Sequence, residues 1–162
     1  MKHGRRRMFR GLVALGAGAL LAACAADPPP RPPMPPDLRV VPPPAGVPRD
    51  HARYSGRWVG KWDEHLDHIL VVELQVPASD HATEVIAVYS WGTSIELGVG
   101  AAGWSRVRGR IQDGALWLEL TRVQATAVYA LQADGTLLGE YRRGETVTAR
   151  VRMTRGVPRE GP

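Results

Sequence analysis

From about residue 54 onward, apolar and polar side chains alternate with a period of two, in short stretches broken by Gly and Asp-Gly. That period belongs to a strand with one buried and one wet face. Residues 57–62 set Trp58, Gly60 and Trp62 on one face. Residues 68–76 set Leu70, Val72, Leu74 and Val76 together and stop at Pro77. Residues 83–91 carry Val85, Ala87, Tyr89 and Trp91 on one face, Ile86 and Val88 on the other. Residues 105–111 alternate Arg106, Arg108 and Arg110 with Val107, Gly109 and Ile111. Residues 115–121 turn Leu116, Leu118 and Leu120 inward; 125–131 and 136–141 follow. The last stretch, 146–154, opposes Val147, Ala149, Val151 and Met153 to Arg150 and Arg152. Asp113-Gly114 and Asp134-Gly135 are hairpin turns. A Gly/Ala-rich segment, 92–103, has room for one more short strand at 94–97.

The pattern predicts an all-β domain over 51–157, with a tail at 158–162. Its strands form an eight-stranded antiparallel up-and-down meander. Closure into a small barrel removes both exposed edges, and such a barrel fills its interior or holds one small ligand. A two-layer β-sandwich is the alternative. No amphipathic helical stripe of useful length interrupts the strands.

Upstream the pattern is different. Eleven of the fourteen prolines lie in residues 27–48, in runs such as Pro28-Pro29-Pro30 and Pro42-Pro43-Pro44. Proline fixes φ and removes a donor, so neither a helix nor a central strand is expected. Residues 24–50 read instead as a proline-rich disordered stalk, whose 27–48 stretch is at most roughly 70 Å long at about 3.1 Å per residue. A ligand for a proline-recognising domain is the alternative.

Before the stalk, Lys2, Arg5, Arg6, Arg7 and Arg10 precede an uncharged run at 12–23. That run is too short to cross a bilayer core of roughly 30 Å. A basic flank, a short apolar core and small residues before a cut site make 1–23 a signal peptide. Leu21-Ala22-Ala23-Cys24 resembles the lipobox of bacterial lipoproteins, and Cys24 is the chain's only cysteine. The resemblance implies cleavage before Cys24 and its lipidation, an anchor of several acyl chains that is effectively permanent. Ala25 stands where an inner-membrane retention signal has Asp, which implies the outer membrane, facing the periplasm. Arg6-Arg7-Met8-Phe9 is similar to a twin-arginine signal, though the general secretory route is the expected one.

Removal of the leader changes the charge. Of the 21 Lys and Arg, five lie there, and the sixteen that remain balance the 16 Asp and Glu. The high isoelectric point is therefore no argument for nucleic acid, and none is expected as a partner. A monomer, with a small molecule or an envelope protein as partner, is the expectation.

Within the domain, Gly56-Arg57-Trp58 followed by a meander resembles the opening of lipocalins and other calycins. The wider pattern is Gly56-x-Trp58-x-Gly60-x-Trp62, then Tyr89-Ser90-Trp91-Gly92, then Asp134-Gly135-x-Leu137-x-Gly139-x-Tyr141. It is similar to a small β-domain of bacterial exported proteins, and implies no activity.

Three groups of residues are candidates for function. Trp58, Trp62, Tyr89, Trp91, Trp104 and Tyr141 are the expected ligand-binding set; Trp117 and Tyr129 complete the aromatic residues of the strands. Trp91 and Trp104 bracket the Gly-rich segment at a barrel mouth, where loops carry binding roles. The competing reading is that the tryptophans plug and pack the barrel. Asp63-Glu64-His65-Leu66-Asp67-His68 brings imidazoles and carboxylates together, but His65-x-x-His68 is no strong zinc spacing, and no metal or other cofactor is expected. Arg106, Arg108, Arg110, Arg150 and Arg152 could meet an anionic surface, or form a solvated strand face. Ser79-Asp80-His81 is contiguous in sequence, and such neighbours do not converge as a triad must. No catalytic residue is assigned, and a binding rather than an enzymatic role is expected. The alternatives are a structural or assembly lipoprotein, or a periplasmic protease inhibitor that inserts the residues just before Tyr54.

Overall fold

The computed structural model describes residues 31–79 and 81–156. The signal peptide, the lipobox with Cys24, the first residues of the proline-rich stretch, Asp80 and the tail at 158–162 lie outside the described residues.

Eight antiparallel strands follow in chain order: β1 Gly56–Trp62, β2 Leu66–Ser79, β3 Ala82–Trp91, β4 Gly103–Gln112, β5 Ala115–Leu120, β6 Ala125–Leu131, β7 Leu137–Arg143 and β8 Thr146–Arg155. Each pairs with its successor, and β8 returns to β1 with Gly60 opposite Met153 and Trp62 opposite Val151. The sheet is a closed barrel, which excludes the sandwich. Local chemistry sets the corners. Asp113 and Gly114 both take positive φ, as a two-residue turn between twisted strands requires. Segment 94–97 forms no strand; Ser94 and Val99 make one isolated bridge.

The inward face carries the core: Trp58, Leu70, Ile111, Leu116, Leu118, Tyr129, Leu137 and Met153 are all buried. β2 departs from simple alternation. Its register with β3 slips between Val72 and Leu74. This bulge at Glu73 inverts the parity, so Gln75 is buried while Val76 is exposed. Leu74 and Val76 therefore do not share the inner face with Leu70 and Val72, as alternation alone predicted.

The described part of the proline-rich stretch does not stand free. It runs down the outer wall of β2, β3 and β4. Met34 and Leu38 pack on Ile69, Val71 and Val88. Ser90 donates its hydroxyl proton to the Pro33 carbonyl at 2.5 Å. The Arg39 amide donates to Glu73 Oε1 and the Val41 amide to the Glu73 carbonyl. Arg106 grips the same carboxylate with Nε at 2.7 Å and Nη2 at 3.2 Å, and also reaches Asp37. Asp37 is held below the usual carboxylate range by its hydrogen bond from Arg106. A two-pronged guanidinium–carboxylate contact fixes orientation as well as distance. The expected stalk over 24–50 is thus wall-bound over residues 33–41.

The segment ends in a short helix, α1 (Arg49–Ala52), which sequence pattern did not predict. It lies at one end of the barrel and leads into a plug. Gln75 donates to the His51 carbonyl at 2.7 Å, and His51 Nδ1 meets Thr83 Oγ1 at 2.8 Å. Tyr54 crosses the barrel, donating to the Gly114 carbonyl at 2.7 Å and accepting from the Leu131 amide. Trp58 donates its indole proton to the Tyr54 carbonyl. The Arg155 guanidinium sits 3.9 Å over the Trp58 ring and donates to the Arg53 and Ser55 carbonyls. This end is sealed by buried aromatic surface and by hydrogen-bonded polar groups, with the buried Gln75 Oε1 left without a partner.

Candidate functional site

The opposite end is open. Four connections surround it: 63–65, 92–102, the 3₁₀ turn Thr121–Val123, and Gly144-Glu145. Between them lies a cavity of about 810 Å³. That volume is in the range of small-molecule sites.

Its floor is an aromatic layer. His68, on the inner face of β2, places its ring 4.4 Å from that of Tyr89 and 5.3 Å from that of Trp62. His68 Nδ1–H donates to the Ser90 carbonyl at 2.7 Å, and Nε2 accepts from the Tyr129 hydroxyl at 2.9 Å. Burial pushes the imidazole pKa down to about 4, so the ring is neutral. Burial likewise raises the Tyr89 and Tyr129 phenols well above their usual range. The buried Trp62 indole N–H lies close enough to Tyr89 to favour its ionised form, yet makes no hydrogen bond of normal geometry.

Above the floor, Trp62, Leu66, Tyr89, Trp91, Val107, Leu120, Tyr141 and Ala149 form the walls. Gly103 gives Trp91 its place: a Cβ there would come within 2.6 Å of the indole. Trp91 also donates to the Ala101 carbonyl, which ties the ring to the 92–102 loop. Leu97, Val99 and Val123 reach in from the loops. Arg122 and Arg143 stand at the rim, without an ion pair among the described residues. Arg106 also borders the cavity, but its guanidinium is held by Glu73 and Asp37 on the outer wall. Among the described residues, no carboxylate lines the cavity.

The six aromatic candidates divide. Trp62, Tyr89, Trp91 and Tyr141 line the cavity together. Trp58 is fully buried in the plug at the other end, where it cannot touch a ligand in this cavity. Trp104 is on the outer wall, 38% exposed and opposite Ser90, whose hydroxyl faces outward to Pro33. One residue of parity separates it from Ser105, which lines the cavity. Trp117 is also partly exposed, and Tyr129 lies in the floor.

The other candidates do not converge. Asp63 accepts from the Arg150 amide, Asp67 pairs with Lys61, and His68 is inside the barrel. Among the described residues, no group of three or more His, Cys, Asp or Glu is placed to hold a metal ion. Of the arginine row, Arg106 is latched to Glu73, Arg150 faces Glu140 and Arg152 faces Asp134, while Arg108 and Arg110 lie exposed on the wall. Ser79 only accepts from the His81 amide in a local turn.

Pattern reading missed the loop contribution of Leu97, Arg122 and Val123, because a lone residue in a connection has no periodicity to place it, and it missed Arg143 at the last position of β7. No family model, curated protein or solved structure matches this chain. What the geometry carries by itself is an eight-stranded closed barrel, consistent with a lipocalin/calycin-like fold, sealed at one end and hollow at the other.

Proposed function

We propose that this protein is a lipid-anchored module of the cell envelope, at the outer membrane facing the periplasm, that binds a small apolar ligand and catalyses nothing. One observation carries the reading: a barrel plugged at one end keeps a cavity of about 810 Å³ at the other, walled mainly by aromatic and aliphatic side chains. Packing normally fills such space, so an apolar cavity this large has few uses other than to be occupied. Aromatic and aliphatic side chains outnumber the polar ones, Ser105, Thr121, Thr148 and the arginines, which favours an apolar ligand over a carbohydrate. A structural role would not need the hollow. A protease inhibitor inserting the residues before Tyr54 is disfavoured, because His51 and Tyr54 are tied into the closed end.

The test is mass spectrometry of organic extracts from the full chain purified from its own host. A bound apolar species is expected, and Ala149→Trp, which fills the cavity from β8, should lower its yield at least tenfold with the circular dichroism unchanged. Equal yields from both proteins would remove the cavity from the function. Labelled palmitate on wild type and Cys24→Ser tests the anchor; label retained by the variant would refute it.

A further inference from the structure

The outer-wall segment has a direction. Pro33 is held by Ser90, one residue from the end of β3 at the open mouth. Asp37, Arg39 and Val41 are held lower, by Arg106 and Glu73. Gly46 lies against Pro77, and His51 against Thr83, at the closed end. The described chain therefore begins beside the mouth and descends away from it. Arg31 follows Cys24 by seven steps of the chain. At roughly 3.3–3.6 Å per residue they span about 25 Å at most.

We propose that the open end of the barrel is seated on the phospholipid surface that holds Cys24, so that the cavity opens onto the membrane. This rests on the lipid-anchor reading above. The occupant is argued from the tether and from what the mouth displays. Ile95 is 97% exposed at the tip of the 92–102 loop. Its turn is built to hold it there: Ser94 and Val99 exchange backbone hydrogen bonds, and the Gly98 amide returns to the Ile95 carbonyl with φ +66°. Val123, half-exposed, and Leu97 stand on the same rim, and Trp104 lies on the wall just outside it, near the point where the segment arrives. Indole and aliphatic side chains at the end nearest an anchor suit the headgroup layer. Arg122 and Arg143 at the rim can meet lipid phosphates. Asp63, Glu64, Glu96 and Glu145 lie in the same set of connections, so attachment is apolar rather than electrostatic and depends little on anionic lipid. Such a contact is weak by itself. A tether of about 25 Å makes it intramolecular, with an effective concentration on the order of millimolar, and weak contact then suffices.

The experiment uses the mature, acylated protein in phosphatidylethanolamine–phosphatidylglycerol vesicles carrying brominated acyl chains. With Cys24 acylated, an introduced cysteine is the sole free thiol for a fluorophore. Gly100→Cys reports the mouth, where a side chain meets open space, and Ala133→Cys reports the β6–β7 hairpin at the closed end. Quenching severalfold stronger at residue 100 than at residue 133 is expected, and adding Ile95→Asp with Leu97→Asp should at least halve it. Equal quenching at the two positions, or stronger quenching at 133, overturns the orientation. Protein that floats with vesicles but shows neither site quenched, and scatters light as a dimer, assigns the mouth to a second copy and also overturns it. Protein that fails to float refutes the anchor itself, and the orientation with it.

Discussion

His68 shows how far a residue's chemistry can lie from its sequence setting. It closes a polar hexapeptide, yet its ring is buried between Tyr89 and Trp62 with both nitrogens satisfied. The signal was parity: Leu66, His68, Leu70 and Val72 are two apart, and all four are buried. Desolvation lowers the pKa of His68 from 6.5 to about 4. Between those values the unfolded chain takes up a proton that the folded chain refuses. Its contribution to stability is therefore complete above pH 6.5 and lost as pH falls toward 4, by at most about 3 kcal/mol. The carboxyls of Glu140 and Asp134 act lower. Hydrogen bonds from Arg142 and from Thr136 hold them below the ordinary range, so their contribution is lost only at still lower pH. Urea midpoints at pH 7 and pH 4.5 should differ clearly in wild type and much less in His68→Gln. Parallel losses in the two proteins would clear His68 of the effect.

At the scale of the element, strands were legible because alternation and Asp-Gly turns are local chemistry, and all eight strands are found where the pattern put them to within a few residues. What alternation could not show is the bulge at Glu73, which reverses inside and outside for the rest of β2. Nor did it predict cover on the outer face, although β2 carried a hint. Ile69-Leu70-Val71-Val72 is a continuous apolar run, the mark of a strand buried on both sides. Strand contacts also explain which glycines matter. A Cβ on Gly109 would stand 2.1 Å from the Trp117 carbonyl oxygen across the β4–β5 pair. Gly109→Ala must force these strands apart, at a cost of about 1–3 kcal/mol or more. Gly100→Ala meets nothing within 4 Å, and should change stability by less than about 1 kcal/mol. Chemical denaturation of the two variants side by side checks this; equal losses would mean that the β4–β5 spacing is not what Gly109 protects.

For the whole molecule, the wall-bound segment matters most, because under the proposed lipidation of Cys24 it would determine how far the barrel can stray from the membrane. Composition identified the proline-rich stretch but not its docking: a proline-rich chain is extended whether it is free or lying on a wall. Glu73 is the point to test. Its carboxylate is almost wholly buried under the segment, receives Arg106 from β4, and accepts the Arg39 amide. Glu73→Ala removes those acceptors while Arg106 keeps Asp37 and the Val41 amide keeps the Glu73 backbone carbonyl as its acceptor. Since Arg106 is over a third exposed, water recovers part of the loss, and about 1–2 kcal/mol is expected rather than the full cost of breaking a buried pair. Most of that loss should be local, because the barrel ladder is untouched. Trypsin reads local opening, as cleavage follows the population of the open form when reclosure is fast. Arg39 should therefore be cut severalfold faster in Glu73→Ala than in wild type, with the barrel core still resistant. Cleavage at Arg39 at the same rate in both proteins would mean that Glu73 does not hold the segment, and the limit on the barrel's distance from the proposed lipid anchor would then lapse.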